Sequence, residues 1–140
     1  MTLYLDTSAL VKLYVRERGT RSVKRAVASA DRVATSRVAY AEARAAFARR
    51  ARERRIAAKR LRRIVAALDR DLATYVLVEV TASVVSAAGD LAESRALRGF
   101  DAIHLASALA LGSALGTSPE LMAFDARLVG AARAEGLVVL

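Results

Sequence analysis

Cysteine is absent from this chain of 140 residues, and histidine occurs only once. The missing thiols exclude disulfide bonds and thiolate metal sites, and a single histidine disfavours a zinc site. No segment approaches the roughly 18 uninterrupted apolar residues of a membrane span. The first residues also lack a basic segment followed by an apolar one, so we expect no signal peptide. The expected location is therefore the cytoplasm, without a membrane partner.

Acidic residues are few relative to basic ones. The chain has 23 lysines and arginines against 14 aspartates and glutamates, which gives a formal net charge of +9. Such a charge favours an anionic partner, nucleic acid first, although a solvated basic surface explains the same composition. Hydrophobic residues make up 55% of the chain and argue against disorder, and the length suits a single domain over residues 1–140.

The first ten residues contain the pattern from which we interpret the rest of the chain. An apolar run at residues 3–5 ends in Asp6, and Thr7 and Ser8 follow before a helical pattern begins. This order predicts a buried strand with a carboxylate at its C-terminal end and hydroxyls that can cap the next helix. Ligands bind beyond the C-terminal ends of strands in open α/β sheets, so we expect Asp6 to face a site. No glycine-rich phosphate loop follows, which disfavours nucleotide binding.

Strand and helix patterns alternate along the remaining chain. Further strands are predicted at residues 33–35, 75–80, 121–124 and 137–140. Helices are predicted at residues 9–15, 20–30, 38–55 (with Ser36 as N-cap), 56–71, 81–97 (capped by Thr81), 100–111 and 126–135, with a loop at 112–119. The alternation predicts a parallel sheet with helices on both faces. The helical pair at about 38–71 is the one departure from it.

Four acidic residues stand out from the rest. Asp6 and Asp125 each directly follow an apolar strand, so both are expected at the same edge of the sheet. Asp101 opens an apolar helix, and Glu42 lies in an alanine-rich helical stretch. Each has a simpler explanation, because an aspartate after a strand is often a helix N-cap, the helix dipole favours Asp101, and Glu42 alone suits a surface.

If these four carboxylates converge, their charges restrict the chemistry. Several carboxylates within a few ångströms repel one another, and some protonate unless a cation is present. Oxygen ligands suit a hard divalent ion such as Mg²⁺ or Mn²⁺, which can activate water and stabilise charge on a phosphodiester. The single histidine, His104, follows Asp101 by about one helical turn; it is a ligand, a proton shuttle or a buried helix residue with a satisfied hydrogen bond.

A second candidate surface is the basic stretch from Arg44 to Arg63, next to Glu42. It contains ten lysines and arginines and one acid, Glu53. A solvated helical face explains such a stretch, and a surface that contacts phosphates or an acidic partner explains it equally well. The arginines proposed for contact with RNA or a partner are Arg49, Arg50, Arg54 and Arg55.

Four motifs of this chain resemble, in their order, those of PIN-domain nucleases, and most closely those of the VapC-type toxin ribonucleases. They are residues 5–10 (Leu-Asp-Thr-Ser-Ala-Leu), 40–42 (Tyr-Ala-Glu), 101–108 (Asp-Ala-Ile-His-Leu-Ala-Ser-Ala) and 124–128 (Phe-Asp-Ala-Arg-Leu). The resemblance spans essentially the whole chain. It implies a three-layer α/β/α sandwich around a parallel sheet, which binds Mg²⁺ or Mn²⁺ and cleaves RNA by metal-assisted hydrolysis.

The resemblance also implies roles for particular residues and partners. The acids of the family correspond to Asp6, Glu42, Asp101 and Asp125, and Ser8 corresponds to a small polar residue near the metal. The helical pair corresponds to a region of dimer and antitoxin contacts, so a homodimer and a cognate antitoxin protein are expected. Where the family often has threonine, two residues before its last acid, this chain has Ala123.

These observations predict a metal-dependent endoribonuclease, the toxin of a toxin–antitoxin pair. The alternative is a non-catalytic module that binds RNA or protein through its basic helices, which the departure at Ala123 also permits. A phosphatase with an aspartate nucleophile is disfavoured, because it generally needs a second aspartate where this chain has Ser8.

Overall fold

Four parallel strands form the sheet at the centre of the computed structural model, which describes residues 1–140. The strands are β1 (Thr2–Leu5), β2 (Arg32–Ser36), β3 (Val76–Val78) and β4 (Glu120–Met122). Their order across the sheet is β3-β2-β1-β4, and every pairing is parallel. The predicted α/β class with a parallel sheet is confirmed.

Seven helices connect and cover the strands. They are α1 (Thr7–Val11), α2 (Thr20–Ser29), α3 (Ala39–Arg54), α4 (Ala58–Leu72), α5 (Ala82–Arg95), α6 (Gly99–Leu115) and α7 (Ala126–Ala134). Helices α3 and α4 occur in succession between β2 and β3, at the position of the predicted pair. None of the seven combines the length and the apolar character that spanning a membrane requires.

Two separate apolar cores lie on the two faces of the sheet. Side chains alternate between faces along a strand, and β1 shows this directly. Leu3 and Leu5 belong to a core formed with α1–α4, which includes Phe47, whereas Tyr4 belongs to a core formed with α5–α7, which includes Leu105. These two cores make the fold a three-layer α/β/α sandwich, as predicted.

The strand register aligns the C-terminal ends of β1, β2 and β4 at one edge of the sheet. Leu5 of β1 is paired with Met122 of β4, and the backbone N–H of Asp6 donates to the carbonyl oxygen of Met122 at 3.2 Å. On the other side, the hydroxyl of Thr35 in β2 donates to the carbonyl oxygen of Leu5 at 2.7 Å. The residues that follow β1, β2 and β4 therefore begin at one edge.

Two helices, α1 and α6, have a C-terminal end that differs from the prediction by four residues, whereas the other helix ends agree within two. Helix α1 begins at Thr7 and ends at Val11, so it lies earlier than residues 9–15. Helix α6 continues to Leu115, into the segment that was predicted as a loop, and Gly116 ends it in the left-handed conformation with φ of 69°. The loop was predicted from Gly112 because glycine has a low helix propensity. In the structure, packing of the flanking apolar residues overrides that propensity and the helix continues.

Two other local predictions are wrong. Ser36 is not the N-cap of α3 but the last residue of β2; the N-cap is Val38, whose N–H donates to the Ser36 hydroxyl at 3.3 Å. The segment at 137–140 is not a strand and makes a single parallel bridge, between Val139 and Leu121. The segment lies at the edge of the sheet beside β4, and because β4 has only three residues it offers little backbone for pairing.

Candidate active site

Asp6 is buried directly after β1, with 3% of its surface exposed. It is the N-cap of α1, since its Oδ1 accepts a hydrogen bond from the backbone N–H of Ala9 at 2.9 Å. The hydroxyl of Ser8 also donates to the Asp6 carboxylate, at 2.7 Å from Oδ1. Burial raises the pKa of Asp6, and these hydrogen bonds offset only part of the increase. The carboxylate thus caps a helix and at the same time carries a charge that is poorly solvated.

Glu42 lies in the first turn of α3 and reaches the residues that follow β1. Its Oε1 accepts a hydrogen bond from the Thr7 hydroxyl at 2.6 Å and lies 2.8 Å from Nε2 of His104. Burial acts to raise the pKa of Glu42, but the hydrogen bonds from His104 and Thr7 outweigh burial, and the net pKa is lowered. Glu42 is therefore held in its ionised form and is not a solvated surface residue.

His104 connects Glu42 to the interior of the protein. The Tyr4 hydroxyl lies 3.0 Å from Nδ1 of His104, and both residues are almost fully buried. Burial raises the pKa of Tyr4 above its usual value, so the phenol stays protonated. Because the ionised Glu42 can only accept, Nε2 carries the proton that is donated to it, and in the neutral imidazole Nδ1 then accepts from the Tyr4 hydroxyl. The prediction named His104 but missed Tyr4 and Thr7; a tyrosine inside an apolar strand was the only available signal.

Asp101 lies in the first turn of α6 and is half-buried. No protein group donates a hydrogen bond to its carboxylate. Burial raises the pKa of Asp101, and the nearby charge of Asp125 raises it further, while His104 and Arg98 act in the opposite direction. A cleft is lined by Asp101 and Glu42 together with Arg98, Gly99, Phe100 and Ile103.

Asp125 lies three residues after the end of β4 and is the N-cap of α7. Its Oδ1 accepts hydrogen bonds from the backbone N–H groups of Arg127 and Leu128, both at 3.0 Å. The neighbouring Phe124 N–H donates at 3.1 Å to the hydroxyl of Ser8, the same hydroxyl that donates to Asp6. Ser8 therefore joins the ends of β1 and β4. Ala123 is buried in the core on the α5–α7 face of the sheet and supplies no hydroxyl.

The four acids thus lie along one edge of the sheet, and their charges influence one another. Asp101 raises the pKa of Asp6, and Asp125 and Glu42 raise that of Asp101, in each case in addition to burial. An all-carboxylate set fits a hard divalent cation. In this structure, however, no three acidic or histidine side chains are close enough to hold one ion together. The carboxylate oxygens are suitable ligands for such a cation, but in this structure the side chains are not arranged as a complete coordination sphere.

The four arginines predicted to contact RNA or a partner differ in whether they form ion pairs within the chain. Arg50 donates two hydrogen bonds to Glu17, at 3.0 and 3.1 Å, and Arg54 lies 3.7 Å from the same carboxylate. Arg49 and Arg55 are exposed and form no ion pair. Two of the four are therefore engaged within the chain, on Glu17.

Comparison with known proteins gives consistent matches. Residues 3–137 match the family model of the PIN domain. The chain is 36% identical over 138 residues to Ribonuclease VapC46 of Mycobacterium tuberculosis (strain ATCC 25618 / H37Rv), covering 99% of this chain and 95% of that protein. It is 42% identical over 114 residues to Ribonuclease VapC49 of the same strain, covering 79% and 76%.

Solved structures share the fold at lower identity. VapC20 of Mycobacterium tuberculosis, described as a sarcin-ricin loop cleaving toxin, superimposes with a TM-score of 0.68 at 24% identity, covering 97% of this chain and 96% of that one. VapBC2 from Rickettsia felis, solved bound to a DNA fragment from its promoter, gives a TM-score of 0.66 at 16% identity, covering 100% and 98%. At these identities the likeness shows the fold alone.

Proposed function

Because the chain belongs to the PIN-domain family, we propose that it is a metal-dependent endoribonuclease and the toxin of a type II toxin–antitoxin pair. The observation that carries the proposal is the arrangement of Asp6, Glu42, Asp101 and Asp125 along one sheet edge. Relatives that share this family are named ribonucleases. The family uses a divalent metal ion, and for this chain we propose Mg²⁺ or Mn²⁺ because the available ligands are carboxylate oxygens.

The acids have distinct proposed roles. Asp6 and Asp101 would hold the ion, and Glu42 and Asp125 would complete the site directly or through water. When bound, the ion would supply an activated water and stabilise charge on the phosphate. The protein itself contributes the orientation: Thr7 and His104 hold Glu42 ionised and in place. The backbone N–H of Ala9 and the hydroxyl of Ser8 do the same for Asp6.

The proposed partners follow from the same family. An RNA is the substrate, acted on in the cytoplasm, and a cognate antitoxin protein is the inhibitor. We place the contacts of a homodimer and of the antitoxin at α3 and α4. Among the solved structures with this fold is a toxin–antitoxin complex from Klebsiella pneumoniae, with a TM-score of 0.64 at 19% identity over 88% of this chain and 86% of that one.

Cleavage of a mixed RNA pool by the wild-type protein and by Asp6→Asn tests the proposal. Each protein is incubated with Mg²⁺, Mn²⁺ or EDTA, and circular dichroism is recorded to verify folding. Cleavage that needs metal and is lost in the folded Asp6→Asn protein supports the nuclease and its site together. Full activity of Asp6→Asn would contradict the site. The substitution keeps a side-chain acceptor for the N–H of Ala9, so loss of the cap does not confuse the result.

A non-catalytic RNA- or protein-binding module is the second candidate. One observation favours it: the acids do not form a finished coordination sphere in this structure. This candidate predicts RNA binding that survives Asp6→Asn and Asp101→Asn and weakens when Arg49 and Arg55 are neutralised. Metal-dependent cleavage that requires Asp6 would exclude it as the main function.

A further inference from the structure

Two of the three phenylalanines in the chain are exposed, and each directly precedes one of the acids. Phe100 precedes Asp101 and is 55% exposed; Phe124 precedes Asp125 and is 43% exposed. The third, Phe47, is buried in the core. A single exposed apolar residue needs no explanation, but two exposed aromatic rings beside the same acidic edge are less easily attributed to chance.

Phe124 is held by its surroundings. The ammonium group of Lys12 lies 4.5 Å from the centre of the Phe124 ring, within the range of a cation–π contact. The ring also packs against the backbone at Gly19, where a Cβ atom would lie 2.6 Å from Cε1 of Phe124. The Phe124 N–H is bonded to Ser8. The ring is therefore exposed and yet held by Lys12 and Gly19, and its backbone is bonded to the same Ser8 that donates to Asp6.

A basic cleft adjoins Phe124. It is formed where α1 passes into α2, and Lys12 and Gly19, the two residues that touch the Phe124 ring, are among its lining residues. Its other charged residues are Arg16, Glu17, Arg21, Lys24 and Arg60. The Glu17 carboxylate is neutralised by Lys12, Arg50 and Arg54. The remaining four cations form no ion pair within the chain, so the cleft presents uncompensated positive charge.

Phe100 lines a second cleft, together with Glu42 and Asp101. Arg98 is the one cation of this cleft, beside the two acids. Phe100 therefore lies directly among the acids, whereas Phe124 lies at the margin of the basic cleft, where it contacts Lys12 and Gly19.

Exposed aromatic rings next to a basic groove are an arrangement by which proteins bind single-stranded nucleic acid. Bases stack on the rings without regard to sequence, and the cations contact the phosphates. A double helix presents no free base faces, because its bases are stacked on one another. A protein partner with acidic side chains would use the cations but would have no general need for the two rings.

We propose that Phe100 and Phe124 are stacking platforms for unpaired bases of RNA, each next to one of the acids, and that the RNA backbone continues from Phe124 past Lys12 into the basic cleft between α1 and α2. The proposal rests on the proposed ribonuclease function and assigns the residues on which the bases of its RNA are held. It assigns to Arg21 and Lys24 a contact with phosphate, and it assigns no sequence preference.

Binding in EDTA, where no cleavage is expected, tests the platforms. The probe is a short fluorescein-labelled oligouridylate, compared with the same strand paired to oligoadenylate, and fluorescence anisotropy gives the affinity. We expect Phe100→Leu and Phe124→Leu each to weaken binding of the single strand by at least about fivefold, with an unchanged salt dependence. Phe124→Trp should retain the affinity. Arg21→Gln with Lys24→Gln should weaken binding and flatten its salt dependence.

Val85→Ala is the matched control, because Val85 is an exposed apolar residue of α5 that lines neither cleft; its affinity should equal that of the wild type. Unchanged affinity of both leucine variants overturns the proposal, whatever the rings contact instead. Tighter binding of the duplex than of the single strand, or no binding of oligouridylate by the wild type, also overturns it. Stacking without cleavage under any condition would instead contradict only the ribonuclease function, since the platforms are measured without metal.

Discussion

The imidazole of His104 bridges Tyr4 of the buried strand and Glu42 of the acidic edge, at 3.0 Å on one nitrogen and 2.8 Å on the other. Tyr4 belongs to the sheet and His104 to α6, so both elements help to fix the position of the Glu42 carboxylate. The Thr7 hydroxyl contacts the same Oε1 atom at 2.6 Å. Glu42 is thus positioned by side chains from two other helices, Thr7 of α1 and His104 of α6.

Replacement of His104 should therefore impair cleavage through Glu42. We expect His104→Ala to lower kcat by about 10–100-fold, the usual effect of removing a group that orients a ligand, with little change in KM for RNA. His104→Gln should recover part of the loss, because its amide can donate to Glu42. Kinetics on one defined RNA measure both constants, and thermal unfolding verifies that the variants are folded. An equal loss in the alanine and glutamine variants would contradict the positioning role.

The buried charge of Asp6 should make the metal-free protein less stable as pH rises. The pKa of Asp6 is raised by burial from an ordinary value of 3.8. Between that value and the folded-state pKa, the native protein binds a proton that the unfolded chain lacks, so the free energy of unfolding falls as pH increases. Asp6→Asn has no such charge and should lose this decline.

Urea unfolding in EDTA, from about pH 4 to neutral pH, measures the effect. The Asp6→Asn protein should be the more stable of the two at neutral pH, and the difference should shrink as the wild-type carboxyl becomes protonated. Parallel curves for the two proteins would show that the buried charge has no energetic cost.

Glu17 should stabilise the contact between α3 and the segment that connects α1 to α2. Burial acts to raise the pKa of Glu17, but hydrogen bonds and charge from Arg50, with Lys12, outweigh burial and lower it below 4.5. A lowered pKa means stability that is present above the ordinary value and lost as pH falls through the folded-state pKa. We expect Glu17→Gln to lower the free energy of unfolding by about 1 kcal/mol at neutral pH and to have no effect in strong acid.

Glu79→Gln provides the control for the change in net charge. Glu79 pairs with Arg37, but both side chains are more than half exposed. Water and salt screen such a pair, so this variant should unfold at the wild-type temperature. Equal destabilisation by the two substitutions would mean that net charge, and not the Glu17 contact, determines the effect.

Gly19 should tolerate no side chain. Its φ of 94° is strained for other residues, and a Cβ atom there would lie 2.6 Å from the Phe124 ring. We expect Gly19→Ala to destabilise the protein by about 1–3 kcal/mol and to weaken oligouridylate binding by displacing the ring. Gly89→Ala is the control: it lies within α5 with nothing within 4 Å, so it should stabilise by about 0.5–1 kcal/mol. Calorimetry measures both, and a neutral Gly19→Ala would contradict the fixed ring position.

The positions of the acids could be predicted because local patterns determine them. Asp6 and Asp125 follow apolar runs that form adjacent parallel strands, so the sheet edge was predictable from the sequence alone. The same local patterns indicated that both residues could be helix N-caps, and both are. For these two residues the structural role and the proposed functional role therefore coexist.

The contacts between distant segments could not be predicted. Tyr4 and His104 are 100 positions apart, and Glu17 and Arg50 are 33 apart. No periodicity links such pairs, because their proximity results from packing of whole helices against the sheet. The same limit explains α6, where packing of apolar residues around Gly112 continues a helix that the glycine would end in isolation.

Strand β1 and its partner β4 are far apart in the chain, so β4 is not available to β1 until Glu120–Met122 have been synthesised. Until then β1 has only β2 beside it, and neither Phe124 nor Asp125 exists. Pairing between such distant segments requires both to have been made. A nascent chain therefore lacks part of the acidic edge until synthesis has passed Asp125. For an enzyme that cleaves RNA, this order of assembly delays activity until all four acids have been synthesised.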